Sequence, residues 1–571
     1  MSEKLIRVDM SDQSVQVVDL PEDWQLLGGR ALSARILLEE CDPACDPLGP
    51  ENVLVFAPGA LAGTAAPTSG RISVGAKSPL TGGIKEANSG GNPGQHLAKL
   101  GYRALIVTGQ PADPAKRYGI EVDTPGARVV ERGDLAGLGN YPACAKLAEH
   151  YPESASFISC GPAGEQRLSG ASVATTDQDN RYPARHAARG GLGAVMGAKG
   201  LKFVAIDPGR SRARTPADPK PFGAAVKRFS KHYMESDKPF ATGTSTIVPA
   251  ANGMHTFPHK NFSEGQSPHA AELDGARIID SFEERGGGMH NCLTGCIVRC
   301  SNVVHDSAGE YKTSGLEFET LTLLGSNIDM KSWEQVAELD RLCDDAGLDT
   351  IETGAAIGVL MDAGRMQFGD FEGVQDLFEE LRKASELGRA IGNGAAAVAA
   401  LVGHGRVPVA KGQSLPAWDP RILRGAGVTY ASSAMGADHT AGMPGAYGLD
   451  DAATAQQSRE EQMRMAVIDS SGFCMFAKPS MDDVREFYGA FFGCEVSRDD
   501  IARYGWQALC DEWEFNRRAG FTAEHDVLPR LVCEEPIGPT QAVFDICAEA
   551  IASVKQWQAP SEKFYSKRGA A

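Results

Sequence analysis

The chain has 571 residues, 42% of them hydrophobic and 23% charged, with a formal net charge of −18. That length asks for more than one domain, and the composition excludes a disordered or collagen-like chain. The negative charge argues against a nucleic-acid binder, because phosphates would be repelled rather than neutralised.

The opening MSEKLIRVDM shows no charged leader followed by an apolar run, so no export signal is expected. No apolar stretch is long enough to cross a bilayer. The expected compartment is the cytoplasm, where thiols stay reduced. The 13 cysteines are therefore read as buried thiols plus a metal site, not as a disulfide framework.

In chain order, KLIRVDM and SVQVVDL, joined at Ser11, Asp12 and Gln13, predict a β-hairpin. VLVFAPG, RISVGA, ALIVTG, IEVD and KFVAID are further strand candidates, punctuated by proline and glycine. Near residue 210 the text turns basic and apolar-poor, at PGRSRARTPADPKP, which suits a boundary. Beyond it LEFETLTLLGSN, EQVAELDRLCDDAGLD and TGAAIGVLMDAG carry apolar residues at three- and four-residue spacing and predict helices, with Gly347 and Gly364 at their C-terminal ends. A second seam is expected at AKGQSLPAWDPR, residues 410–421, followed by helices at REEQMRMAVID and RDDIARYGWQALCDEWEFNRRAG. The resulting fold class is α+β: a β-rich N-terminal base over residues 1–210, then two mostly α-helical regions, 211–415 and 416–571.

Two pairs of similar pieces stand out. SPLTGGIKEANSGGNPGQHLAKLGYRALIVTG and ARHAARGGLGAVMGAKGLKFVAID each read as a glycine loop, a helix and a strand. Such a loop offers backbone N–H groups to a phosphate, and Arg185 and Arg189 beside the second would add charge-assisted donors. The second pair is DDAGL from Asp344 and DSSGF from Asp469, each a D-x-x-G after an amphipathic helix. The plain reading is a glycine-capped helix end. The sharper one is a carboxylate held rigidly enough to accept hydrogen bonds from the N–H groups of a heterocycle. Two loops and two carboxylates suggest a ligand with two similar halves.

NCLTGCIVRC places thiols at Cys292, Cys296 and Cys300. They could share one helix face as core residues, although ERGGGMHN and Gly295 argue for a loop. They could hold zinc, or three corners of a 4Fe–4S cluster with one remote ligand. Cys474, directly after DSSGF, is the candidate remote thiol.

The chain resembles the aldehyde ferredoxin oxidoreductase family, tungsten enzymes carrying a bis-pterin cofactor. The resemblance runs over nearly the whole length. Its motifs are GGRALSARIL, TSGRISVGAKSPLTGGIKEANSGG, ARGGLGAVMGAKGLK, the cysteine cluster, GLEFET, DDAGLDT, YASSAMGADHTAG and DSSGFC. It implies that Cys292, Cys296, Cys300 and Cys474 bind one 4Fe–4S cluster, that Asp344 and Asp469 read two pterins, and that Asp349 and the backbone at Phe473 assist. It further implies that the Asn88 carbonyl helps hold a Mg2+ bridging the pterin phosphates. Arg71 then lies between cluster and pterin, and Gly90, Arg185, His186, Ala188 and Arg189 occupy other cofactor-contacting positions. The implied reaction oxidises an aldehyde to a carboxylic acid and passes electrons to ferredoxin or to an Fe–S electron-transfer subunit. His439 in GADHTAG matches the active-site histidine, Glu319 in GLEFET the active-site glutamate with Glu317 the near alternative, and Tyr430 is a pocket candidate.

Molybdenum in place of tungsten, and a homo-oligomer, are both compatible with the sequence. Three departures from the family pattern bear on the site. The first cysteine gap is one residue longer than in the best-known members. The loop between His439 and Asp469 is shorter than expected. SELGRAIGNG lacks the histidine that, with a glutamate near Glu338, would hold an iron between subunits, so that iron is not expected. Relatives that reduce activated acids or aromatic rings supply the alternative function, a catalytic subunit of a larger electron-transfer complex. A non-catalytic iron–sulfur or zinc scaffold is the third reading.

Overall fold

The computed structural model describes residues 3–566 apart from 125, 239 and 446. The first third forms two six-stranded sheets. The first contains β1 (Lys4–Asp9), β2 (Ser14–Asp19), β3 (Leu54–Pro58), β4 (Ile72–Lys77), β5 (Ile84–Ser89) and β6 (Tyr102–Thr108), in the order β2-β1-β6-β3-β4-β5. The second contains β7 (Tyr118–Asp123), β8 (Gly126–Glu131), β9 (Ser156–Cys160), β10 (Val173–Thr175), β11 (Arg185–Ala187) and β12 (Leu201–Ile206), in the order β11-β10-β9-β12-β7-β8. Read from the other edge, the second sheet repeats the first strand for strand. The β1–β6 and β7–β12 pairs are parallel and every other pair is antiparallel. The paired glycine pieces seen in the sequence are the visible part of this duplication.

The central strands LVFAP, ISVGAK, SFISC and LKFVAI are buried at every position. They are covered on both faces, which is why they read as continuous apolar runs rather than alternating ones. One shared core lies between the sheets, where Ile6, Phe56, Val74 and Leu105 meet Ile120, Ile158, Val195 and Val204. Helix α1 (Gly29–Glu40) covers the outer face of the first sheet through Leu32, Ile36 and Leu37, and a separate cluster including Cys144 and Leu147 of a later helix covers the second. The seven strands expected from the text are all present. The structure adds β5, β8, β9, β10 and β11, and β5 occupies a stretch expected as loop.

Two apolar cores organise the rest. One centres on α2 (Thr350–Asp362), buried from Ile351 to Met361, with Val336 and Leu339 of the preceding helix Trp333–Ala346. The other joins Phe222, Phe229 and Tyr233 of the helix Pro219–Glu235 to Phe487 and Phe491, and it receives Leu293, Cys296 and Cys300 of the cysteine segment. Each core draws residues from both sides of residue 415. The stretch 410–421 is interior rather than linker-like. Leu415, Ala417, Asp419 and Arg421 are buried, and Arg421 donates to Asp419 Oδ2 at 2.6 Å and to Phe262 O at 2.7 Å. Among the described residues no helix is long and apolar enough to cross a membrane.

Candidate functional site

The cysteine segment is the connection of a β-hairpin. Gly287–His290 pairs antiparallel with Ser301–His305, leaving 291–300 as the loop between them. It is non-helical, as expected, although the glycines before it form a strand rather than a loop.

Thr68 of the base, the residue before Ser69-Gly70-Arg71, ties this loop to Cys474. Its N–H donates to Gly295 O at 2.9 Å, its Oγ1 accepts from Ile297 N at 3.1 Å, and its carbonyl accepts from Cys474 N at 2.9 Å. The glycine loop after β5 adds more. Gly91 N donates to Cys292 O at 3.1 Å, and Asn92 Oδ1 accepts from both Thr294 N and Thr294 Oγ1 at 3.0 Å. A Cβ added at Gly90 would lie 3.2 Å from Cys292 Sγ, so glycine lets the backbone pass close beneath the sulfur. The four thiols thus form one electrostatic group. A hydrogen bond from Cys296 pulls Cys292 down to about 6, with Arg185 and Arg71 adding to it. Burial raises Cys300 and Cys474, and each also feels Cys292. Cys343 is instead buried in the helical core, and Cys494 is exposed.

Among the described residues, no three Cys, His, Asp or Glu side chains converge to hold a single metal ion. Mononuclear zinc needs its sulfurs at about 2.3 Å from one point. A polynuclear cluster instead distributes its thiolates over several irons.

The two D-x-x-G carboxylates are built alike. Gly347 (φ 75°) and Gly472 (φ 87°) end their helices in the left-handed region, where glycine carries no Cβ penalty. Each packs against a glycine at the end of an equivalent base strand. A Cβ on Gly161, after β9, would lie 2.4 Å from Ala346 O, and one on Gly59, after β3, 2.1 Å from Gly472 Cα. The duplicated base therefore presents one equivalent face to each stop.

Asp344 is met by Tyr141 Oη at 3.2 Å and His186 Nε2 at 3.1 Å, and the other His186 nitrogen contacts Ser172 Oγ at 2.8 Å. Asp469 lies 3.5 Å from Arg30 Nη1, and Arg30 also forms a two-pronged pair with Glu512 at 2.7 and 2.9 Å. Burial, then the Glu86 charge, hold Asp469 well above the usual carboxylate range.

Arg71 is fixed by the Asn88 side chain and by Asn88 O at 3.1 Å. Burial opposes its charge, but Cys474, Cys292, Asp469 and Cys300 outweigh that and raise its pKa. It therefore sits electrostatically between thiols and carboxylate. Arg185 donates to Ser301 Oγ. Arg189, expected as a charge-assisted donor to a phosphate, already has partners within the protein. Its three nitrogens reach Asp349 Oδ2 at 3.3 Å, Ala437 O at 2.6 Å and Ser414 O at 2.7 Å, so it is spent inside the protein. Asp349 also caps α2 through Ile351 N at 2.9 Å. Ala188 is half-buried beside Arg189. The Phe473 ring packs on Phe229 and Phe487 and turns into the apolar core.

The two glutamates separate. Glu317 accepts from Thr244 Oγ1 and faces Arg185 and the thiols, with burial raising its pKa. Glu319 Oε1 lies 3.6 Å from His439 Nδ1, while its Oε2 accepts from Ala417 N at 2.7 Å. Tyr430 is fully buried, with its hydroxyl 3.4 Å from Trp418 O. Next to His439, Asp438 forms a buried ion pair with Lys85 of β5 and accepts from Thr440 N at 2.9 Å. Thr68, Lys85, Arg30 and Asp438 were not singled out in the sequence, although each stands inside a motif quoted there.

Buried polar atoms without a protein partner include Arg185 Nε, Glu86 Oε1, Glu319 Oε1 and His439 Nδ1. An unpaired buried polar group costs about 1–3 kcal/mol. Arg185 lies beside the thiols and Glu86 beside Asp469, so each could complete its bonding on a bound group.

Family models for "Aldehyde ferredoxin oxidoreductase, N-terminal domain" and "Aldehyde ferredoxin oxidoreductase, domains 2 & 3" match residues 5–208 and 224–570. Fold and site together define an oxidoreductase. The chain belongs to the aldehyde ferredoxin oxidoreductase family. It is 31% identical to a tungsten-containing aldehyde ferredoxin oxidoreductase of Pyrococcus furiosus, over 94% of this chain and 93% of that protein. It is 26% identical to an aliphatic sulfonate oxidoreductase, WOR-like subunit, of the same organism, over 86% and 82%. Its fold matches the active site complex BamBC of benzoyl coenzyme A reductase with a TM-score of 0.79 at 18% identity, over 99% of this chain and 96% of that one.

Proposed function

We propose that the chain oxidises an aldehyde to a carboxylic acid and delivers the two electrons to ferredoxin or to an Fe–S partner subunit. Cys292, Cys296, Cys300 and Cys474 would hold one 4Fe–4S cluster. Asp344 and Asp469 would each accept hydrogen bonds from one half of a tungsten or molybdenum bis-pterin, and the Asn88 carbonyl would face a Mg2+ joining its phosphates. When bound, these groups supply the two-electron chemistry and its one-electron outlet.

The residues of the chain have separate tasks. Arg71 and Arg185 lower the electrostatic cost of gathering thiolates in a buried place. His186 and Tyr141 on one side, and Arg30 on the other, orient the two carboxylates. His439 is placed to donate a hydrogen bond to a substrate oxygen or to move a proton. Glu319 is placed to accept that proton or one from water. Buried Tyr430 and half-buried Trp418 beside this pair limit the access of bulk solvent to those bonds.

The observation that carries this reading is the attachment of Cys474 to the 291–300 loop through Thr68. The relative named as a sulfonate oxidoreductase subunit favours one further reading, a different substrate within a larger complex. Metal analysis of anaerobically purified protein tests the shared part. About one tungsten or molybdenum and about four irons per chain are expected, and zinc alone would end both readings. An aldehyde panel with a viologen dye as acceptor then tells them apart, since the second reading expects no aldehyde turnover.

A further inference from the structure

Cys41 and Cys45 stand far from the site just described, at the C-terminal end of α1. Their sulfurs face each other at 3.9 Å across a turn closed by Cys45 N to Asp42 O at 3.0 Å. Cys41 is buried, with its sulfur 3.6 Å from Asn52 Oδ1, whereas Cys45 is half-exposed. Lys77 clamps the turn by donating to Pro43 O at 2.6 Å and Cys45 O at 2.7 Å. In the sequence these cysteines belong to none of the motifs quoted above. The fold gives them a shared geometry.

We propose that Cys41 and Cys45 form a redox-active dithiol that closes to an intramolecular disulfide when it meets a low-molecular-weight disulfide such as oxidised glutathione. Closure shortens the sulfur separation by about 1.9 Å, to the 2.03–2.05 Å of a disulfide, a shift within reach of side-chain rotation in a turn. Cys45 is the attacking group, because it is the accessible one. The hydrogen bond from Cys41, with Lys77 adding, also holds its thiol below the ordinary value despite burial, which raises the thiolate fraction.

In the first step the Cys45 thiolate attacks one sulfur of the small disulfide, forming a mixed disulfide and releasing one small thiolate. In the second, Cys41 gives its proton to solvent and attacks Cys45 Sγ, expelling the other small thiolate. The two protein thiols lose two electrons, and the small disulfide gains them as two thiols. Closure would fasten the C-terminal end of α1, the helix whose first turn carries Arg30 to Asp469, to the turn held by Lys77.

The test uses anaerobic full-length holoprotein equilibrated with oxidised and reduced glutathione over a range of ratios, then alkylated and mapped by mass spectrometry without reduction. The expected result is a peptide linked Cys41 to Cys45, near-complete loss of alkylation at both positions at the oxidising end, and full recovery with dithiothreitol. In Cys41→Ser the mixed disulfide should accumulate on Cys45, and in Cys45→Ser the Cys41 thiol should remain alkylatable. Both thiols staying free at the oxidising end, or glutathione staying on Cys45 in the unaltered protein, would overturn the proposal. Iron content followed in parallel shows whether the holoprotein is intact, and neither outcome bears on the aldehyde reading.

Discussion

His439 Nδ1 lies 3.6 Å from Glu319 Oε1, and neither atom has a protein hydrogen-bond partner. Two complementary groups on half-buried side chains, left just beyond bonding distance of each other, are each free to bond a third partner. A proton-transfer group is worth roughly 10²–10⁴-fold in rate, so His439→Ala and Glu319→Gln should each lower kcat by that order, with metal content unchanged. Glu317 faces the thiols instead, so Glu317→Gln should leave the chemical step nearly intact. An equal kcat loss in Glu317→Gln, with iron retained, would move the chemistry to that carboxylate.

Lys85 should prove essential to the placement of His439 without touching substrate. It is fully buried, and its charge is compensated by Asp438, which caps the turn that starts at His439. Breaking one side of a buried pair costs about 3–5 kcal/mol, because the other charge is stranded. Lys85→Met should therefore lower both Tm and kcat, and the double variant Lys85→Met/Asp438→Asn should recover much of the Tm. If the double variant were no more stable than Lys85→Met, the stranded-charge account would fail.

These two residues also show what the sequence could and could not convey. The apolar runs at Leu54–Pro58 and Leu201–Ile206 announce buried strands through composition alone. The strand Ile84–Ser89 was obscured because Lys85, Glu86 and Asn88 read as exposed loop residues, and only the fold reveals that Lys85 pairs with Asp438, that Asn88 holds Arg71 and that Glu86 is buried near Arg30 and Ser73. Cys474 stood out as a candidate remote thiol because it adjoins DSSGF. Thr68, which places it, did not, because two of its three bonds use the backbone and leave no trace in residue type. The interior course of 410–421 was missed for a related reason. Proline, glycine and charge suggest a linker, but Asp419 and Arg421 satisfy one another inside the core.

His96 gives the base domain a defined acid sensitivity. Burial, with Lys99 adding, pulls its pKa from 6.5 to about 4, and its Nδ1 contacts Ser156 Oγ at 2.8 Å. The folded form therefore binds fewer protons than the unfolded chain between those values. Its contribution, up to about 3 kcal/mol, is complete above pH 6.5 and is lost as pH falls toward 4. His96→Gln can keep a hydrogen bond to Ser156 without titrating. Its unfolding midpoint, measured by thermal melts across pH 6.5 to 4.5, should fall less steeply than that of the unaltered protein, and parallel slopes would assign the acid sensitivity to other groups.

Cys474→Ser and Thr68→Ala should part company in a way that isolates ligation from packing. Serine fills the place of the thiol but is a poor ligand for iron, so Cys474→Ser should lower iron well below the proposed four per chain and stop dye reduction. Thr68→Ala removes only the bond from Ile297 N to Oγ1 at 3.1 Å, since the bonds from Thr68 N to Gly295 O and from Cys474 N to Thr68 O are made by the backbone. Its cost is about 1 kcal/mol, visible as a lower Tm with iron retained. Thr68 has φ 58°, so Thr68→Gly relieves the backbone while losing the same bond and should lie between Thr68→Ala and the unaltered protein in Tm. Full iron and turnover in Cys474→Ser would remove that thiol from the cluster and leave the Thr68 staple as a packing device alone.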